Sequence, residues 1–418
     1  PYTPWAPPRI AVLRAKPAHR PVVCGAGPAG LFAALTLARA GAEPILLERG
    51  GAVDERRADV EKFYRTRTLD TESNIQFGEG GAGTFSDGKL NTGTHDGRGS
   101  QVLHDLVAAG APDEILWQAK PHIGTDRLPD AVKGLREMIL AHGGEVRFRT
   151  KLTDVGLSGG VLRSVRAAHG GAEETLETDS LILAAGHSAR DLFALMQRRG
   201  ALLEPKPFSM GVRCEHPQEV ISRAQYGAFA AHPVLGAADY RLAVHLPDGR
   251  GVYTFCMCPG GYVVGAASEE GHLVVNGMSP FARDGRNANA AVLCEVRPSD
   301  FGSDDPLAGV ELQRKWERAA FLAGGGDYRA PAQLLGDFLA GKPSAGAGGV
   351  LPTYPLGVCF TSLDGCLPEF VLAALREAFP LFDKKLRGYA MPEAVLTGVE
   401  TRSSSPVRIV RDASGQSN

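Results

Sequence analysis

Short apolar runs separated by glycine fill the first half of the chain, and one of them sets the reading of the rest. Pro21-Val22-Val23-Cys24 is apolar without a break and leads into Gly25-Ala26-Gly27-Pro28-Ala29-Gly30. Leu31, Ala34, Leu35 and Ala38 then recur at helical spacing. A second apolar run, Pro44-Ile45-Leu46-Leu47, ends in Glu48, eighteen residues beyond Gly30. The pattern predicts strand, tight turn, helix and strand, closed by an acid.

The same reading predicts a helix over the charged stretch 54–67, amphipathic helices over 101–110 and 130–143, and short strands over 146–149, 152–155, 161–165 and 175–178. The unbroken apolar run 181–186 predicts a fully buried strand that returns to the parallel sheet. From about Pro205 the texture changes to strand-like pieces over 208–214, 240–245, 252–258, 262–267 and 273–276, an antiparallel sheet with a tight hairpin at Pro259-Gly260-Gly261. Helices are expected over 307–323 and 366–387. The fold class is therefore α/β: a Rossmann-type domain with an inserted α+β antiparallel-sheet domain. Residues 1–19, punctuated by Pro8 and Pro17, read as a linker; 20–205 as the first part of the nucleotide domain; 206–394 as a substrate domain; and 395–418 as the return to the nucleotide domain.

The fingerprint has a mechanical reason at each position. Gly25 permits the turn, Gly27 lets backbone approach a pyrophosphate, and Gly30 lets the helix lie close on its strand. Pro28 and Ala29 open the helix whose N-terminus meets the phosphates. Glu48 accepts hydrogen bonds from a ribose and repels a 2′-phosphate, which favours FAD or NAD over NADP. The spacing Gly30, Ala34, Leu37, Gly41, Glu48 resembles that of two-dinucleotide-binding-domain flavoproteins and so favours FAD.

Composition narrows the setting. A formal net charge of −2 over 418 residues argues against a nucleic-acid or membrane surface built on basic charge, and no apolar run reaches membrane-spanning length. Seven cysteines without framework spacing predict reduced thiols in the cytoplasm. No metal site is predicted, and the oligomeric state is left open.

Other residues carry candidate chemistry. The loop 74–89 contains a second GxGxxG, Gly78 to Gly83, with Phe77 and Phe85 on either side; it lacks a preceding strand and reads as a ligand loop. Gly186-His187-Ser188-Ala189-Arg190 approaches a nucleophile elbow, with helix capping by Ser188 the competing reading. Cys256 and Cys258 fall on one face of an extended strand, roughly 6.5 to 7 Å apart, at or beyond the limit for a relaxed disulfide. Buried structural thiols compete there with redox chemistry. Arg402, amid hydroxyls, reads equally as an anion or flavin contact and as a solvated turn.

The runs NIQFGEGGAGTFSDGKLNTG, PHIGTDRL, AAGHSARD, FCMCPGGYVV, NGMSPFARDG, YRAPAQ and VLTGVETRSSSPVRI resemble a family of uncharacterised NAD(P)/FAD-dependent oxidoreductases, from about residue 20 onward. The resemblance implies FAD in a glutathione-reductase-like domain. It gathers Gly80, Gly81, Ala82, Gly83, Thr84, Ala185, Gly186 and the stretch Arg402 to Ser404 around the flavin, and Arg49 and Leu152 join the cofactor site. It also implies an additional N-terminal domain and a C-terminal flavin-contact segment beyond this sequence. Lys89, His187, Cys256 and Cys258 are the candidates for the catalytic neighbourhood. The expectation is an FAD-dependent dehydrogenase or reductase acting on a small molecule, with NAD(P)H as a transient donor. A non-catalytic FAD-binding module, a flavin monooxygenase and a serine hydrolase are the alternatives.

Overall fold

The computed structural model describes residues 6–7, 10–93 and 96–418; Pro8 lies outside the described residues, and the linker expected over 1–19 is described only in part. The chain divides into two compact units, Pro1–Val60 with Glu72–Leu195, and Glu61–Thr71 with Met196–Asn418.

The first unit begins with β1 (Val22–Cys24), α1 (Pro28–Arg39) and β2 (Ile45–Leu47), as the pattern predicts. Then come α2 (Val53–Thr66), which runs across the boundary between the two residue sets, α3 (Arg98–Ala108), α4 (Leu128–Ala141) and β3 (Glu145–Arg147). An antiparallel meander follows, made of β4 (Thr150–Ser158), β5 (Val161–His169) and β6 (Ala172–Glu177), and after it β7 (Leu181–Leu183) and α5 (Arg190–Arg198). The parallel sheet runs β3-β2-β1-β7. Its centre is dry: Val22, Val23 and Leu46 are fully buried, and α1 packs there through Leu31, Ala34 and Leu35. The small residues at 30, 34 and 38 let helix and sheet approach closely. β7 departs from expectation. It holds three residues rather than a long buried run, and as the outer strand of the sheet it leaves Ile182 38% exposed.

The second unit contains β8 (Leu203–Pro205), β9 (Phe208–Pro217), α6 (Gln218–Tyr226), β10 (Ala243–His245), β11 (Gly251–Gly265), β12 (Val275–Met278) and β13 (Asn287–Val296). It continues with α7 (Ala308–Ala323), β14 (Ala330–Leu334), α8 (Leu335–Leu339), β15 (Val358–Phe360), α9 (Glu369–Lys385), β16 (Val395–Glu400) and β17 (Val407–Ile409). The large sheet runs β10-β11-β13-β9-β16-β14-β15, with β12 paired to β11. Phe338, Phe379, Phe382 and Tyr389 form its fully buried aromatic core.

Three expectations are corrected here. Pro259-Gly260-Gly261 is not a hairpin but an irregular stretch inside the single strand β11. Residues 395–400 do not return to the nucleotide unit: β16 pairs with β9 and β14 inside the large sheet. The central strand β13 was not anticipated at all, because Asn287, Asn289 and three alanines give it a weak strand signature.

Candidate dinucleotide site

The turn from β1 to α1 separates the tasks of its glycines. Gly25 sits at φ +102, and a Cβ there would stand 2.6 Å from the Ala184 carbonyl oxygen. A Cβ on Gly30 would stand 1.7 Å from the Gly25 oxygen, so the helix rests directly on the turn. Gly27 differs, because its Cβ would meet nothing nearer than Gly81 Cα at 3.9 Å. Bare backbone there faces open space. Gly27 caps α1 in an extended conformation with Pro28 in the first turn, so the next amides, Ala29 and Gly30, open the helix without acceptors of their own inside it.

The turn and the opening of α1, though not Gly30, line a cavity of ≈ 350 Å³, within the range of small-molecule sites. Gly25, Gly27, Pro28 and Ala29 form one wall, Glu48 and Arg49 the end of β2, and Gly81, Ala82 and Gly83 the facing loop. Lys151 and Leu152 from β4 and the stretch Ala184 to Ala189 complete it.

Glu48 is buried, 4% exposed, yet lines the cavity. Its Oε2 accepts the Ala26 amide at 2.8 Å, and its Oε1 accepts the amides of Gly50 and Gly78, each at 2.9 Å. A carboxylate offers about four acceptor positions, so about one remains on Oε2 for a ribose hydroxyl. The acid therefore does more than the fingerprint asks: it ties the first turn to the loop that contains Gly78.

That loop has a second anchor that the sequence reading missed. Arg56 of α2 is completely buried and donates to the carbonyls of Asn74 at 2.8 Å, Ile75 at 2.8 Å and Glu79 at 2.7 Å, with its guanidinium over the Phe85 ring. Burial pushes its pKa down to about 10, with Glu48 and Glu79 opposing. Glu79 is buried as well, its pKa raised by burial, and its Oε2 accepts the Val53 amide that opens α2. The signal for Arg56 was register. Val53, Arg56, Val60 and Phe63 are all buried, and their spacing places the arginine on the apolar stripe of a helix that otherwise reads as solvated.

At the rim, Arg49 makes paired bonds to Asp191 (3.0 and 2.8 Å) and Glu72 (2.7 and 3.2 Å) and lies 4.3 Å from the Phe77 ring centroid. Lys151 joins both acids, at 2.7 Å to Asp191 and 3.1 Å to Glu72. Burial works against Asp191, yet Arg49 and then Lys151 hold its pKa down at about 2. Two cations thus meet two carboxylates, and the rim carries no net charge from these four.

The remaining sequence candidates separate. Gly80 (φ +81) and Thr84 do not line the cavity; a Cβ on Gly80 would stand 1.9 Å from the Thr84 hydroxyl, which donates to the Glu79 carbonyl, so both support the loop from behind. Leu152, Ala185, Gly186 and His187 do line it, and Gly186 sits at φ +73 with nothing near its missing Cβ. Ser188 also lines it and donates to Gln76 Oε1 at 3.1 Å. Lys89 is not among the lining residues; its side chain pairs with buried Asp87 at 2.6 Å, and its backbone makes an isolated antiparallel bridge with that of His122.

Cys256, Cys258, Arg402 and Ser404 all belong to the second unit. Arg402 is neither a solvated turn nor an open anion site. It makes a buried paired contact with Glu317, at 3.0 and 2.7 Å, and a 2.6 Å bond to Ser268. Ser404 is half-buried beside it in sequence. Among the described residues no helix is long and apolar enough to cross a membrane, and no group of three or more His, Cys, Asp or Glu side chains is placed to hold a metal ion.

Residues 207–403 match the family model described as "FAD-dependent protein, C-terminal domain-like". The chain is 52% identical over 399 residues to an uncharacterized protein of Clostridium beijerinckii, covering 95% of this chain and 74% of that one. Among solved structures, a flavin-dependent brominase triple mutant overlaps at TM-score 0.35 and 13% identity, over 67% of this chain and 57% of its own. The flavin-dependent monooxygenase PieE, in complex with FAD and substrate, overlaps at 0.33 and 17%, over 72% and 47%. The anhydrotetracycline hydroxylase OxyS of Streptomyces rimosus overlaps at 0.30 and 16%, over 68% and 47%. This chain spans 57% or less of those three structures, and overlaps this loose carry over no residue role.

Proposed function

The chain belongs to the family of FAD-dependent proteins, and on that premise we propose that it is an oxidoreductase of the dehydrogenase or reductase kind acting on a small molecule. The observation that carries this reading is Glu48, which stands in the cavity wall with an acceptor position on Oε2 beside a helix mouth of bare backbone. The residues fit FAD. Glu48 would take a ribose hydroxyl, the turn from Gly27 to Ala29 with the facing Gly81 to Gly83 would take the diphosphate, and Leu152 would border the adenosine end. The glutathione-reductase-like arrangement suggested by the sequence is part of the same proposal.

When bound, the flavin supplies the hydride or electron exchange, and the protein supplies position and surroundings. Glu48 would hold the nucleotide's sugar and disfavour a 2′-phosphate, and Ala185, Gly186 and His187 bring backbone and an imidazole to the same cavity. His187 is the imidazole among the lining residues, and we assign it the holding or moving of a proton. We assign NAD(P)H the role of a transient donor and the cytoplasm as the place of action.

Anaerobic titration tests the reading. Purified protein loaded with FAD is followed at the flavin's visible band while NADH and then NADPH are added. Bleaching by one of them is expected. Bound FAD that neither nicotinamide nor any organic donor bleaches would leave a non-catalytic FAD-binding module in its place.

A further inference from the structure

After α6 the chain runs through eleven residues, 227–237, without a Lys, Arg, Asp or Glu, and His232 is their one polar side chain. Phe229 is 67% exposed, Val234 85% and Leu235 43%. With Tyr226 and His232 they line one open hollow, so the exposed apolar groups are gathered rather than scattered. The loop that presents them is firmly held. Gln218 and Gln225 of α6 donate to the carbonyls of Ala238 at 3.0 Å and Asp239 at 2.7 Å. Inside the loop, the His232 amide donates to the Phe229 carbonyl at 2.9 Å and the Leu235 amide to the His232 carbonyl at 3.1 Å. Tyr226 before the loop and Ala238 and Tyr240 after it pack into the core of the large sheet, whereas Phe229, Val234 and Leu235 are not among the side chains packed there. Single apolar residues on a surface need no explanation, but three gathered on a held loop mark an interaction site.

The surroundings carry charge. Arg241, Lys384, Lys385 and Arg387 are all exposed. Lys385 donates to the Ala243 carbonyl, the rings of Tyr389 and Tyr240 lie 5.4 Å apart between centroids, and a Cβ on Gly388 would stand 3.6 Å from Val220 of α6. These contacts hold the end of α9 against α6 and against the segment on which the loop returns. Across 218–243 and 383–389 five Arg or Lys stand with three acids, Glu219, Asp239 and Asp383, although the whole chain carries −2. Glu219 is already paired with Arg223, and one oxygen of Asp383 accepts the amides of Gly388 and Ala390. An interface with another protein takes about 20–30 residues a side and about ten hydrogen bonds. Eleven residues with one polar side chain fall short of that, whereas lipid tails ask for neither. The excess of cations beside them complements anionic headgroups.

We propose that the loop 227–237 docks this protein on the surface of an anionic lipid bilayer. Phe229, Val234 and Leu235 enter the boundary between headgroups and acyl chains, at a depth of about 5–10 Å, and Arg241, Lys384, Lys385 and Arg387 meet the headgroup phosphates. Attachment of this kind needs no membrane-spanning helix, and it is independent of the flavin chemistry.

Co-sedimentation of the whole chain with vesicles of phosphatidylcholine and phosphatidylglycerol, and with phosphatidylcholine alone, tests this. The protein is expected to pellet with the anionic vesicles at least about tenfold more tightly than with the neutral ones, and to be released as salt rises. Phe229→Ser/Val234→Ser/Leu235→Ser alters exposed side chains, so the melting temperature should hold while vesicle affinity falls at least about tenfold. In Phe229→Trp, added anionic vesicles should shift the emission to the blue, and brominated acyl chains should quench it. Wild-type protein that stays in the supernatant, a triple variant that binds as tightly as wild type, or a Phe229→Trp emission that vesicles leave unmoved overturns the proposal. Self-association that the triple variant loses, without any vesicle binding, overturns it as well and gives the face to a second copy of the chain.

Discussion

Arg56 passes across the bare face of Gly78: a Cβ on that glycine would stand 2.4 Å from the arginine's Cδ, and Gly78 itself holds φ +118. The absent side chain leaves the passage through which the guanidinium reaches three carbonyls of the loop facing the dinucleotide site. Loop and helix are thus fitted as one piece.

Arg56→Met should remove the buried donor shared by the Asn74, Ile75 and Glu79 carbonyls, of which Glu79's keeps the Thr84 hydroxyl, at about 1–3 kcal/mol for each group left unsatisfied. A loss of about 3 kcal/mol or more in unfolding free energy is expected, together with weaker FAD binding by the folded protein. Gly78→Ala should approach the same result from the other side through strain and overlap, at about 2 kcal/mol or more. Urea unfolding and flavin fluorescence titration measure both, and an unshifted midpoint in Arg56→Met would refute the anchoring role.

Gly27→Ala and Gly30→Ala should separate binding from folding. A methyl on Gly27 enters open space, so the melting temperature should hold while FAD affinity falls. A methyl on Gly30 meets the Gly25 oxygen at 1.7 Å, so stability itself should fall, by about 2 kcal/mol or more. If both variants lose stability equally, the open face assigned to Gly27 is wrong.

Glu48→Gln replaces one acceptor oxygen with a donor amide, so at least one of the amides of Ala26, Gly50 and Gly78 loses its partner. The expected loss is about 1–3 kcal/mol, with a further loss of FAD affinity because no acceptor position is left for the ribose. Calorimetry of the flavin-free protein isolates the first effect, and the difference on adding FAD isolates the second.

Two buried groups of the second unit should hide each other's pH dependence. Burial pushes Glu400 up to about 7, with Arg213 opposing, and burial pushes His216 down to about 4, with its bond to the Tyr389 carbonyl opposing. Glu400 keeps a proton that an unfolded Glu releases near 4.5, so its contribution is complete below that pH and is lost as pH rises through about 7. His216 stays neutral where an unfolded His is protonated, so its contribution is complete above 6.5 and is lost as pH falls through about 4. At about 1.4 kcal/mol per pKa unit the two slopes largely cancel. Glu400→Gln should therefore lose stability on acidification where the parent does not, and His216→Phe should gain it. Urea midpoints followed from about pH 4.5 to 7 check this; parallel curves for all three proteins would contradict it.

The first βαβ unit was legible because each of its residues obeys a local rule: a turn that needs glycine, a helix of small residues, and an acid at the end of a strand. Arg56 was not legible, because a charged residue on an apolar stripe is read as solvated unless its register is weighed against burial. The stretch Pro259-Gly260-Gly261 was read as a hairpin because proline and glycines signal a turn wherever they stand, and only pairing with β13 shows that the strand continues. Arg402 was ambiguous for a different reason: its partner Glu317 lies 85 residues away, beyond any local pattern. Residues 395–400 were assigned by analogy with a chain path, and strand pairing decided otherwise.

The three amides gathered by Glu48 are supplied wholly by the polypeptide. The receptor's shape is consequently an inherited property of folding rather than a product of loading. Chains stripped of flavin should accept it again without passing through an unfolded stage, and exchange of one flavin analogue for another should be limited by departure of the old ligand, not by rebuilding of the protein around the new one.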